Sequence, residues 1–238
     1  DTDKEYVNAE DAFAHLFNKK DLSQIQEAVL WKKYSVADGV FHRLGALLAS
    51  GAVDGQGPSG LSKSLVDNYL NADGTFINPK DEKYKDFNEM FKERDARLLV
   101  TVMHSGPDCK YRASSPTNKP MNVRAYDATG TEDEMKEKNE DIVSPNLNGD
   151  GNSKSVTGFH IRLGIDTTYV DNESETVVVL FRYAEGLLCY AEAAEELDLC
   201  TDDVLNKTLK PLRERAGVTY VKPTKADPNF PFTGLSPV

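Results

Sequence analysis

Hydrophobic positions recur at helical spacing through the last third of this chain. Leu180, Tyr183, Ala184, Leu187, Leu188 and Ala191 mark one stripe in and just before "FRYAEGLLCYAEAAEEL". "CTDDVLNKTLKPLRERAGV" predicts a second helix. Thr201 caps it, and Asp202 and Asp203 occupy its positive first turn. Leu205, Thr208, Leu209, Leu212 and Ala216 form its apolar face, and Gly217 takes the position just past its end. Pro211 lies inside this pattern, lacks an N–H and crowds the Lys207 carbonyl, so a kink is expected there. The short connection between the two makes an αα-hairpin.

Earlier segments are less regular. "NAEDAFAHLF" predicts a helix capped by Asn8, with Phe13, Leu16 and Phe17 inward, ending near Lys20. "AVLWKKYS" reads as a short strand with an aromatic end. Residues 36–60 are glycine-rich and read as a long irregular loop. "SGLSKSLVDNYL" predicts a helix with Leu61, Leu65, Val66 and Tyr69 on one face, followed by a turn at Asp73-Gly74. "YKDFNEMFKERDARLLVTVM" begins as a helix, with Phe87, Met90 and Phe91 inward, and ends as a strand, "RLLVTVM". Residues 105–157 read as loops with an acidic insert, and "GFHIRLGI" as another strand. A proline-rich tail follows the last helix. The expected fold is mainly α, with long irregular loops and a few short strands. Its helix pair packs against a loop-rich region.

Charge narrows the functions open to such a fold. The net charge of −11 argues against a nucleic-acid partner, because phosphate binding needs a basic face. No apolar run approaches the roughly 18 to 20 residues of a membrane span, and the opening "DTDKEYVNAE" does not read as a signal peptide. Cys109, Cys189 and Cys200 lack metal-ligand spacing and read as buried free thiols. On one continuous helix Cys189 and Cys200 would lie roughly 16 Å apart, too far for a bridge. His15, His42, His104 and His160 are scattered, and no phosphate-loop, dinucleotide or nucleophile-elbow motif is present. "NLNGDGNSKS" offers too few acidic ligands for a calcium loop and reads as a turn. No metal or cofactor is expected. Arg182 and Glu185, three apart beside an apolar stripe, are expected to form a structural ion pair.

Several of these segments, in this order, resemble the SusD/RagB family of nutrient-binding outer-membrane lipoproteins of Bacteroidetes-type bacteria. The resemblance rests on Arg182 to Glu185, Leu187-Leu188, Tyr190 to Ala193, and Arg213 to Gly217. "LVDNYLNADGTFI", "ERDARLLVTV" and "TGFHIRLG" are similar to further family segments. Ala96 departs from it where proline is common, and Leu163 where a basic residue is usual. The resemblance implies a SusD-like fold with a tetratricopeptide-like αα-hairpin. Residues 1–238 would correspond to one C-terminal domain, the N-terminal helical lobe lying outside this chain. It further implies a lipid-anchored protein on the extracellular face of the outer membrane. Such a protein captures an oligosaccharide or polysaccharide and passes it to a SusC-like TonB-dependent transporter. The expected role is binding, not catalysis. Alternatives are a peptide-binding member of the family and an interaction module whose main partner is the transporter.

Sugar rings favour flat aromatic platforms beside planar polar groups. The single tryptophan, Trp31, with Tyr34, Phe41 and His42, is one candidate cluster, and Tyr111, Arg112 and Tyr126 are further candidates. Asn68, Asn122 and Arg124 supply additional polar loop positions.

Overall fold

The computed structural model describes residues 9–44, 60–78, 80–85, 89–104, 157, 159, 161–164 and 173–223. Within them the chain is mainly helical, with one two-stranded sheet. The elements are α1 (Ala9–Asn18), β1 (Ala28–Lys32), α2 (Lys63–Asp67), α3 (Ala96–Thr101), β2 (Val178–Arg182), α4 (Tyr183–Glu196), α5 (Asp202–Lys207) and α6 (Leu209–Arg215). Short 3₁₀ turns lie at Glu82–Lys85 and Glu89–Phe91.

The centre of the described core is α3 and the residues after it. Asp95 starts this helix, its carboxylate accepting from the Arg97 N–H at 2.9 Å. Leu98, Val100, Thr101, Val102 and Met103 are then buried in near succession. The expectation of a strand over "RLLVTVM" is therefore corrected. An unbroken apolar run fits a buried helix as well as a buried strand, and the Asp95 cap decides for helix. Met90 and Phe91 are buried as expected, although a 3₁₀ turn carries them. Val102 is extended and bridges Ile161, and this isolated bridge is what the described part of "GFHIRLGI" forms.

β1 and β2 pair antiparallel across an irregular register, with Trp31 opposite Val179 and Leu30 opposite Phe181. Thus Phe181 and Arg182, read as helical, end a strand, and the helix begins at Tyr183. α1 packs on both α3 and β2, with Leu16 buried. The proposed Asn8 cap lies outside the described residues. In α2, Val66 is fully buried but Leu65 is 42% exposed, so the expected apolar face is narrower than its sequence suggests.

Both helices of the expected pair form, but of the stripe expected on α4 only Ala184 and Ala191 are buried, whereas Leu180, Tyr183 and Leu188 are exposed. Thr201 Oγ1 accepts from the Val204 N–H, and Val204, Leu205, Thr208, Leu212 and Ala216 are buried. The helix breaks at Thr208, between α5 and α6. Pro211 has no N–H for the Lys207 carbonyl, so the hydrogen-bond ladder cannot continue there. Thr208 Oγ1 donates instead to the Val204 carbonyl at 2.7 Å. Gly217 adopts a φ of 72° and ends the pair.

Leu70, Ala216 and Val218 then join one buried cluster with Phe76 against it. The Ala96 N–H donates to Ala216 O, and the Thr219 N–H to Ala72 O. Gly74 turns under this junction at φ 87°, where a Cβ would lie 2.2 Å from Thr219 O. Only glycine fits such an approach. The tail beyond Pro223 and the calcium-loop-like stretch lie outside the described residues, as does Cys109. Cys189 is exposed and Cys200 half-buried, so the expectation of buried thiols is corrected for Cys189. It sits on the outward face of α4, among exposed Glu185 and Glu192.

Candidate functional site

Three polar constructions stand out among the described residues. The first is centred on Glu27, immediately before β1 and only 7% exposed. Its Oε2 accepts from Arg215 Nη1 at 2.7 Å, and its Oε1 from Arg182 Nη1 at 3.5 Å and the Ala184 N–H at 3.4 Å. The Glu27 carbonyl accepts from the Tyr183 N–H at 2.9 Å. One carboxylate thus faces the positive N-terminus of α4 and ties it to an arginine in the last turn of α6. The Arg182 guanidinium also lies 5.9 Å from the Phe13 and Phe17 ring centres, where aromatic faces attract a cation. Burial pushes the Arg182 pKa down. Glu27 opposes that and Arg215 adds to it.

The expected Arg182–Glu185 pair is corrected. Arg182 is the residue before α4, not a member of it, so the helical three-residue spacing does not apply. Glu185 is exposed on the first turn, and the ion-pair partner is Glu27. The signal available in the sequence was an acidic residue set directly against the apolar run "AVLW".

The second construction is Arg94, 6% exposed. It donates to the carbonyls of Val66, Tyr69, Leu70 and Met90 at 2.8–3.3 Å. Three of these follow or end α2, so the guanidinium satisfies the carbonyls that a helix end leaves unpaired. Burial lowers its pKa, with Tyr84 and Asp67 working the other way.

The third contains two of the predicted ligand residues. Tyr34 and His42 meet edge-to-face at 4.5 Å, with an interplanar angle of 85°. His42 Nδ1 accepts from the Leu44 N–H at 3.1 Å, so the proton sits on Nε2, which donates to Thr176 O at 2.7 Å. The backbones of His42 and Ser174 exchange two further bonds. Glu175 accepts from the Val36 N–H and from Lys20, pinning the start of the loop. Phe41 projects beside this corner, 42% exposed. Trp31 is half-buried in β1 and, among the described residues, makes no ring contact with Tyr34 or His42. Tyr111, Arg112 and Tyr126 lie outside the described residues, as do Asn122 and Arg124. Asn68 is the C-cap of α2.

Two depressions accompany these constructions. One, of about 190 Å³, is lined by Phe17, His42, Leu44, Thr176, Val177 and Val179 among others. A larger one, of about 620 Å³, lies beside the Glu27 clamp, lined by Tyr183, Leu187, Pro211, Leu212, Arg215 and neighbours. Among the described residues no group of three or more His, Cys, Asp or Glu side chains could hold a metal ion. No helix among them is long and apolar enough to cross a membrane.

A family model described as the SusD family matches residues 26–234. The chain belongs to the SusD family. Solved structures agree on the fold. A SusD-like carbohydrate-binding protein from Bacteroides fragilis superposes with a TM-score of 0.60 at 21% identity, over 93% of this chain and 39% of that one. A second SusD-like protein from the same organism gives 0.58 at 16% identity, over 93% and 41%. The chain therefore spans about two fifths of the length of these SusD-like relatives. No curated protein matches it.

Proposed function

We propose that this SusD-family chain takes part in binding a nutrient glycan without chemically changing it. The observation that carries this reading is the family match over residues 26–234. The likeness in fold to a SusD-like carbohydrate-binding protein supports it. The corner formed by Tyr34, Phe41 and His42, with Trp31 in the adjoining strand, provides the sugar contact. Phe41 offers an exposed apolar ring of the kind that packs on sugar C–H faces. Hydrogen bonds fix the His42 ring, with Tyr34 edge-on against it, before any ligand arrives, which reduces the entropy lost on binding. Tyr111, Arg112 and Tyr126 are further candidate contacts on their chemistry alone. In this reading the protein is lipid-anchored at the extracellular face of the outer membrane. It delivers its glycan to a SusC-like TonB-dependent transporter.

Titration against a panel of soluble glycans tests the assignment of the site. At least one glycan is expected to bind saturably, and Phe41→Ala to weaken it about tenfold, equivalent to about 1.4 kcal/mol. Saturable binding unaffected by Phe41→Ala, Tyr34→Ala and Tyr111→Ala would place the site elsewhere. Binding of peptides in place of every glycan would overturn the ligand class.

A further inference from the structure

The depression of about 190 Å³ beside His42 differs in chemistry from the aromatic corner next to it. Among the described residues its apolar walls are Phe17, Leu44, Leu163, Val177, Val178 and Val179. The rest of the lining is His42, Thr176 and Gly164, and their polar groups are already committed. The His42 ring spends its Nε2–H on Thr176 O and its Nδ1 on the Leu44 N–H. The Thr176 and Ser174 hydroxyls bond each other at 3.2 Å, and the Gly164 N–H donates to Asn18 Oδ1 at 3.0 Å. The Val177 N–H is taken up by Lys19 O. A sugar hydroxyl lodged here would give up water without a replacement partner, a cost that burial does not return. A hydrocarbon group pays no such cost and gains from leaving water.

Size narrows the guest. An apolar cavity of about 150 Å³ holds a benzene-sized molecule, so the depression takes about six heavy atoms. That is too few for a sugar ring with its hydroxyls or for a long acyl chain, and a lone methyl group would leave most of the space empty. His42 belongs both to the depression and to the corner it forms with Tyr34 and Phe41. A sugar ring packed on that corner therefore has the depression at its side. We propose, as an extension that rests on the glycan reading, that the depression is a subsite for a short acyl substituent of the glycan, of the acetyl class. The acyl methyl enters between Leu44, Val177 and Val179. Its carbonyl stays at the mouth, where water supplies the donor that the walls lack. Acylated glycans are thereby preferred over bare ones.

Methyl-resolved NMR of the purified 238-residue chain tests this with N-acetylglucosamine, glucose and the 6-deoxy sugar fucose. N-acetylglucosamine is expected to shift the Leu44, Val177 and Val179 methyl signals saturably, and glucose to leave them still. N-propionylglucosamine should bind about fourfold more tightly than the acetyl sugar, the return on one further buried methylene. Leu44→Asp, at a position 41% exposed, should abolish the shifts while moving the melting temperature by no more than about 2 °C. Equal shifts from glucose, or still signals with every sugar, would overturn the proposal. Larger shifts from fucose than from N-acetylglucosamine would assign the depression to a deoxy-sugar methyl and overturn the acyl choice. Leu44 signals that move on dilution without sugar would identify a second copy as the occupant and overturn it as well. Soluble glycans that bind through Phe41 while the three methyl signals stay still would overturn the subsite alone. Failure of every glycan to bind would overturn the reading beneath it.

Discussion

Glu27 and Arg182, 155 positions apart in sequence, meet at 3.5 Å. That contact, with the 2.7 Å bond from Arg215 to the same carboxylate, joins the segment before β1 to both members of the C-terminal helix pair. A buried carboxylate between two arginines is costly to desolvate, so its value lies in how much is lost when one partner is removed.

Glu27→Ala should therefore destabilise the protein strongly, by about 2–4 kcal/mol. Loss of a buried ion-pair partner costs about 3–5 kcal/mol, reduced here because both arginines keep some contact with water. Glu185→Ala, at an exposed position, should stay within about 0.5 kcal/mol of the parent. Urea unfolding of both variants checks this. Equal costs would restore the local pair expected from spacing alone.

Arg94→Lys should behave as a severe substitution despite keeping the charge. A lysine cannot span the carbonyls of Val66, Tyr69, Leu70 and Met90 at once, and each one abandoned in the interior costs about 1–3 kcal/mol. Amide exchange at Tyr69 and Leu70 should quicken by about tenfold or more. Unchanged protection would remove the guanidinium from its role in ending α2.

Gly74→Ala should cost about 2 kcal/mol or more. The added methyl would approach the Thr219 carbonyl to 2.2 Å in a left-handed conformation that alanine disfavours. Gly39→Ala makes the appropriate comparison. Its φ is also positive, at 69°, but nothing lies within 4 Å of its added carbon, so only the backbone strain of about 1 kcal/mol should register. Thermal melts of the two variants separate close approach from conformation.

Tyr69 is expected to make stability fall at alkaline pH. Burial raises its pKa above the ordinary 10.0, with the Thr101 bond and Arg97 partly opposing. Thr101 Oγ1 donates to Arg97 O at 2.8 Å, so the Tyr69 hydroxyl is the donor in its 2.9 Å bond to Thr101. A folded-state pKa above the unfolded one means that the native state holds the proton longer. The stabilisation is complete below pH 10 and is lost as pH rises through the folded value. Tyr69→Phe should flatten the fall in stability above pH 10, measured by urea unfolding across pH 8–11. An unaltered slope would assign the alkaline loss to another group.

The helix pair was legible in the sequence because local chemistry determined it. Thr201 caps, Pro211 breaks and Gly217 ends the second helix, and each of these acts on its immediate neighbours. The strand at Val178–Arg182 was not legible. Its partner lies at Ala28–Lys32, and helical spacing runs on through Leu180 and Tyr183 without a visible break. α3 was missed for a related reason, since a run such as "RLLVT" has no periodicity to distinguish helix from strand. Among the candidate ligand residues, Tyr34 and His42 are close in sequence and their rings also touch. Closeness in sequence could not reveal Thr176, which orients the imidazole from a distant segment. The charge that matters beside α4 was marked only by its place against "AVLW", and its partners could not be read, because Glu27 reaches them through the tertiary fold.

Whether the protein binds a glycan without altering it is decided by following binding and turnover in one vessel. Protein and a bound glycan are incubated together, then the glycan is recovered and its chain length and reducing ends are measured. Saturable binding with the glycan returned at its original length is expected. Shortened products, abolished by replacing a single carboxylate, would contradict it.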